Sequence, residues 1–206
     1  MARKPPKFIG DAKIRSLLET FSCPTPYHAV RARFMGYIAS PILSASPIRA
    51  IEDFWPDGMP EFESTEEANT LFQPLLGLWN HLAQHQKRSK PFKLVIQPFS
   101  DDRDSMREFL TVRTEEIDQF LEGLLGNDED LPLPEDIWEE IELLAENCGL
   151  MNSTLEILGN VAATDQEISG LTNNLRELSK IAGKQINDII LATVRYRREP
   201  IKPTLH

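Results

Sequence analysis

The stretch "TDQEISGLTNNLRELSKIAGKQINDIILATVRYRR", Thr164 to Arg198, carries apolar residues at Ile168, Leu171, Leu175, Leu178, Ala182, Ile186, Ile189 and Tyr196. That spacing follows the 3.6-residue period of an α-helix. Thr164 and Glu167 stand in capping-box spacing at its start. The pattern runs to Arg198, about 50 Å at the helical rise per residue. So long a helix in a chain of 206 residues must cross the core or reach beyond it. Ile181, Ile190, Leu191 and Val194 widen its apolar face past one stripe, so more than one side needs cover. Two roles fit. The helix is the centre of a bundle, or it presents Leu175, Leu178, Ile186, Ile189, Tyr196 and Arg197 to a second copy or another protein.

Upstream, the same period recurs. "DAKIRSLLETF" places Ile14, Leu17, Leu18 and Phe21 on one face with Asp11 as N-cap, and "CPTP" ends it. "YHAVRARFMGYIA" follows with Val30, Phe34, Tyr37 and Ile38, and stops before Pro41. Ser46 and Pro47 form a cap and first-turn pair for a short helix. Ser64 and Glu67 have capping-box spacing before a helix with Leu71, Leu75, Leu78, Trp79 and Leu82, which Pro74 is expected to kink or divide. "KLVIQPF" lacks a partner strand and carries Pro98, which makes it an extended connector. "DDRDSMREFLTV" reads as a short helix before Thr114, and "TEEIDQFLEGLL" as another. Pro134 opens a helix with Ile137, Trp138, Ile141 and Leu144, for which Gly149 is the expected C-cap, and "LMNSTLEILGNVA" is a further helical piece.

No internal repeat and no strand alternation stands out, so the class is all-α: a multihelical bundle of about seven to nine helices with a long C-terminal helix. Residues 1–10 read as a flexible basic arm, 11–198 as a single domain with room for a sub-division near 88–113, and 199–206 as a flexible tail.

Composition narrows the function. Hydrophobic content of 41% suits a globular core. The basic N-terminus is not followed by the apolar segment of a secretory signal, and no run spans a membrane, so a soluble, cytoplasmic protein is expected. Net charge is −10 and unevenly spread. Residues 1–49 hold 8 Lys/Arg against 2 Asp/Glu, whereas residues 101–167 hold 3 against 20. Such a block repels nucleic acid and anionic membrane, and favours water or a basic partner.

"FMGYIASPILSASPIRAIEDFW" followed by "PEFESTEEANTLFQPLLGLWNHLA" resembles the YecA/YgfB-like family of bacterial proteins, whose function is uncharacterised. Gly36, Tyr37, Pro41, Pro47, Trp55, Glu66, Glu67 and Asn80 occupy corresponding places. "EIDQFLEGL" is similar to a second family segment at Phe120, Leu121, Gly123 and Leu124, but has Glu116 where that segment has Trp and Gln119 where it has Gly. "VRYRREPIKPTLH" matches an Arg-rich segment without the Cys-rich zinc motif that follows it in longer relatives. The resemblance implies an all-α fold.

Few residues suggest chemistry. His81 and His85 are four apart on one helix, a spacing that lets two imidazoles reach one cation. "HLAQH" lacks the glutamate of a zincin, so a third ligand such as Cys23, His28 or a carboxylate would have to come from elsewhere. The alternative is a helix end meeting solvent. The acidic "NDEDLPLPED" and "DDRDS" lack calcium-loop alternation, and Arg195, Arg197 and Arg198 make a small basic footprint for nucleic acid. No nucleophile elbow or phosphate cradle is present. The expectation is a non-enzymatic protein without cofactor that works through protein contacts in a regulatory or accessory role. The alternative is metal binding at His81 and His85 with carboxylate or Cys ligands.

Overall fold

Apolar residues at helical spacing fold into helices throughout the described chain, and the loops fall at the proline-marked breaks. The computed structural model describes residues 5–41, 46–126, 131, 133–160 and 170–198. Among them are seven α-helices: α1 Asp11–Thr20, α2 Tyr27–Ala39, α3 Pro47–Glu52, α4 Thr65–Leu82, α5 Arg103–Leu125, α6 Glu135–Gly159 and α7 Leu171–Arg198. A 3-10 turn, Ala83–His85, extends α4. The only bridge among the described residues is an isolated one between Lys87 and Lys90. The all-α expectation therefore holds.

Helices α2 and α5 form the central pair. They meet through glycines. A Cβ on Gly36 would run into the backbone of Phe120, Gly123 and Leu124, and one on Gly123 into the backbone of Arg33 and Tyr37. With no side chain at either point the two backbones touch, and Phe34, Met35, Ile117, Phe120 and Leu124 close around the crossing. α1, α3 and α4 cover the α2 side; α6 lies against α5, and α7 packs on α2, α5 and α6.

The capping signals work largely as read. Ser64 accepts a hydrogen bond from the Glu67 amide, though the Glu67 carboxylate reaches back to the Glu63 amide rather than to that of Ser64. Ser46 precedes Pro47 at the start of α3. Helix α1 differs: Gly10, at φ 98°, is the cap, and Asp11 begins the helix with its carboxylate accepting from the Tyr27 hydroxyl at 2.6 Å. α1 ends in a Schellman arrangement, in which the Cys23 and Ser22 amides donate to Leu18 and Glu19 carbonyls.

At three places where the sequence allowed a division, the helix is not divided. α4 continues through Pro74. Thr114 does not cap a new helix; its hydroxyl donates to the Thr111 carbonyl and α5 runs unbroken over 23 residues. Gly149 does not end α6, which runs 25 residues. Buried residues on both sides of each site, Leu110 and Ile117 around Thr114 and Leu144 and Met151 around Gly149, keep the helix on its partner. That burial outweighs a propensity cost of about 1 kcal/mol for glycine. The Thr164–Glu167 capping box lies outside the described residues.

The start of the chain also differs from a free arm over Pro6 to Gly10. A Cβ on Gly77 of α4 would collide with the Lys7 carbonyl, the Asn80 amide donates to the Pro6 carbonyl at 3.3 Å, and Phe8 stacks on His81 at 4.4 Å.

Candidate functional site

Two long helices carry apolar residues the fold must place, and it treats them oppositely. On α7, Leu175, Ile186 and Ile189 are buried, and Leu178 and Tyr196 pack against the core. Arg197 is half-buried and donates to the Gln86 side-chain carbonyl at 3.1 Å. Of the two roles open to this helix, its apolar residues take that of a core helix, with Arg197 at the edge of the packed face. The cause is the wide apolar face noted in the sequence: α2, α5 and α6 are needed to cover it. Ile181, 46% exposed, is the large apolar side chain of α7 left outside.

On α6 the inner face, Ile137, Ile141, Leu144, Cys148, Met151 and Leu158, joins the core. The outer face is also apolar in part. Leu143, Leu150 and Ile157 are 49%, 58% and 49% exposed. They stand seven residues apart, so all three lie on one line along the helix. Glu139 and Glu146 lie one turn before Leu143 and Leu150 on the same face, with exposed Glu142 and Glu156 beside them. From Glu135 to Gly159 there are seven carboxylates and no Lys or Arg.

His81 and His85 come together, with ring centroids 5.7 Å apart. They line a cleft of about 450 Å³ that also takes in Asp11, Arg31, Lys90 and Lys93. Burial, and then the neighbouring His85, lower the His81 pKa. His85 Nδ1 lies 3.0 Å from the Lys90 carbonyl, tying the ring to the following turn. Cys23, proposed as a third ligand, donates to the Thr25 and Phe54 carbonyls, and His28 pairs with Glu115 at 2.5 Å. Among the described residues no group of three His, Cys, Asp or Glu could hold a metal ion. The pair closes a helix end onto the segment Pro6 to Phe8 and the connector.

A larger cleft, about 720 Å³, opens between α2, α3 and α5 and is lined by Glu52, Asp53, Glu115, Asp118 and Glu122. Four of these carboxylates already have partners: Asp53 accepts from Tyr37, Glu115 meets His28, Asp118 accepts from Cys148 and Glu122 pairs with Arg33. The cysteines have no nucleophilic character. Burial pushes the Cys23 thiol up to about 11 and, with the Asp118 charge, the Cys148 thiol up to about 12, so both stay protonated. In "DDRDS", Asp102 caps α5 by accepting from the Ser105 amide, and Asp101 accepts from Thr172. Asn127 to Asp130 lie outside the described residues.

Compared with protein-family profiles, curated protein sequences and solved structures, the chain matches none of them.

One buried polar cluster had no counterpart in the sequence reading. Arg113 and Glu116 form an ion pair within the core, 5% and 0% exposed. Glu116 accepts from the Val95 amide at 2.9 Å, and Arg113 donates to the Val95 carbonyl and to Ser179. Asn187 of α7 brackets Phe92 in the same way, accepting from its amide and donating to its carbonyl. The extended connector is thus held by side chains in place of a partner strand. The signal was present: Arg113 stands four residues from both Phe109 and Ile117, on the buried face of α5.

Proposed function

We propose that the protein is non-enzymatic and acts by protein contacts, and that α6, not α7, presents its contact surface. The observation carrying this is the exposed line of Leu143, Leu150 and Ile157 on a helix whose opposite face is already in the core. Leaving three large aliphatic side chains half-exposed at a regular spacing has no folding benefit, because each would gain about 1 kcal/mol more if fully buried. The protonated thiols and the partnered carboxylates of the large cleft point the same way, since neither supplies a free nucleophile or base. No described helix is long and apolar enough to cross a membrane, and the acidic surface of α6 opposes contact with phosphates. A regulatory or accessory role in the cytoplasm fits such a surface.

Affinity capture from the source cells tests this reading. The wild-type chain should retain a partner that Leu143→Ser/Leu150→Ser/Ile157→Ser does not, with the circular-dichroism spectrum unchanged because all three residues are exposed. Identical captured sets from both baits would refute it.

A further inference from the structure

We infer that the occupant of this face is a basic amphipathic helix of another protein, one that lays its own apolar stripe along α6 and flanks it with Lys or Arg; the inference rests on the α6 reading above. The spacing selects a helix. Leu143, Leu150 and Ile157 recur about every 10.5 Å along the axis, the seven-residue repeat of a helix, whereas side chains on one face of a strand recur about every 6.6 Å. A partner helix crossing at about 20° keeps its apolar residues against a line that drifts by roughly that angle per heptad.

The charge selects its flanks. Glu139, Glu142 and Glu146 are exposed beside the apolar line, and α6 contributes no cation to balance them. A second copy docking α6 against α6 would set these carboxylates against their own equivalents, which opposes self-pairing. Nucleic acid and an anionic membrane carry the same sign as the face. A helix bearing Lys or Arg along the side of its apolar stripe that meets Glu139, Glu142 and Glu146 satisfies these carboxylates while the leucines are covered, and Glu–Lys or Glu–Arg pairs of this kind set orientation and partner choice in paired helices.

Fluorescence anisotropy with labelled synthetic peptides on the full chain tests the inference. The probe is a helical peptide with leucines at heptad spacing flanked by Lys and Arg. One control keeps the leucines and replaces the cations with Gln; the other keeps the composition and scrambles the order. The basic amphipathic peptide is expected to bind at least tenfold more tightly than either control. Its affinity should fall at least tenfold for Leu143→Ser/Leu150→Ser/Ile157→Ser and for Glu139→Gln/Glu142→Gln/Glu146→Gln. Equal binding of the Gln peptide, with no effect of the Glu→Gln changes, would overturn the basic partner and leave α6 as the contact surface. A concentration-dependent dimer in light scattering that the Ser variant abolishes would do the same in favour of a second copy. Binding of the scrambled peptide as tightly as the probe, unaffected by the Ser variant, or no binding of any peptide, would overturn both the inference and the reading on which it rests.

Discussion

Glu116 shows how a single buried charge can organise a segment with no secondary structure. Its carboxylate and the Arg113 guanidinium take up both hydrogen-bonding groups of Val95, which in a sheet would be met by a neighbouring strand. Burial pushes the Glu116 pKa up to about 6, and the adjacent Arg113 charge limits the rise. A carboxyl whose folded pKa is raised is more stabilising when protonated. Its contribution is fully present below the ordinary value of 4.5 and is lost as pH climbs through about 6. Glu116→Gln puts a permanently neutral isostere in place of the protonated carboxyl, so its stability should not follow this titration. In urea unfolding, wild type should lose about 2 kcal/mol relative to this variant between pH 4.5 and neutral pH. Wild type that gains stability relative to the variant over the same interval would contradict the raised pKa. The position of Arg113 between Phe109 and Ile117 was the sign of this pair, but Arg and Glu three residues apart on a helix are most often a solvated couple, which masked it.

At the scale of elements, glycine separates contact from convenience. Gly36 and Gly123 permit the backbone contact between α2 and α5, and a methyl group at either would meet backbone atoms, which cannot swing aside as side chains can. Gly149 sits exposed within α6 with open space around its Cα. Gly36→Ala and Gly123→Ala should each destabilise by about 2–3 kcal/mol, whereas Gly149→Ala should stabilise by about 1 kcal/mol through helix propensity. Thermal unfolding of the three variants decides it, and a tolerated Gly36→Ala would show that the crossing is looser than the geometry requires. The helix periods, the Ser46–Pro47 start and the Ser64 cap were readable because each depends on residues a few positions apart. The continuity of α5 and α6 was not. Thr114 and Gly149 look like punctuation locally, and only the burial of residues on both sides of each, against other helices, overrides them.

For the whole molecule, the central question is which helix is left to face a partner. Sequence identified the α7 stripe correctly as an apolar face, but it could not say that α2, α5 and α6 would cover that face. It also treated α6 as two shorter helices, which hid the heptad line from Leu143 to Ile157. The open choice on α7 and the division of α6 have one origin: amphipathicity reports how much of a helix must be covered, while the tertiary arrangement decides what covers it. The histidine pair shows the same limit. Its spacing suited a metal, but His81 is occupied by Phe8 and His85 by the turn that follows it.

Amide hydrogen exchange of the full chain, alone and saturated with the basic amphipathic peptide, tests the assignment of the contact surface to α6 most directly. The account predicts added protection between Glu139 and Ile157, with α7 and the His81–His85 cleft unchanged. Protection that appears on α7 or in that cleft while α6 exchanges as before would contradict it.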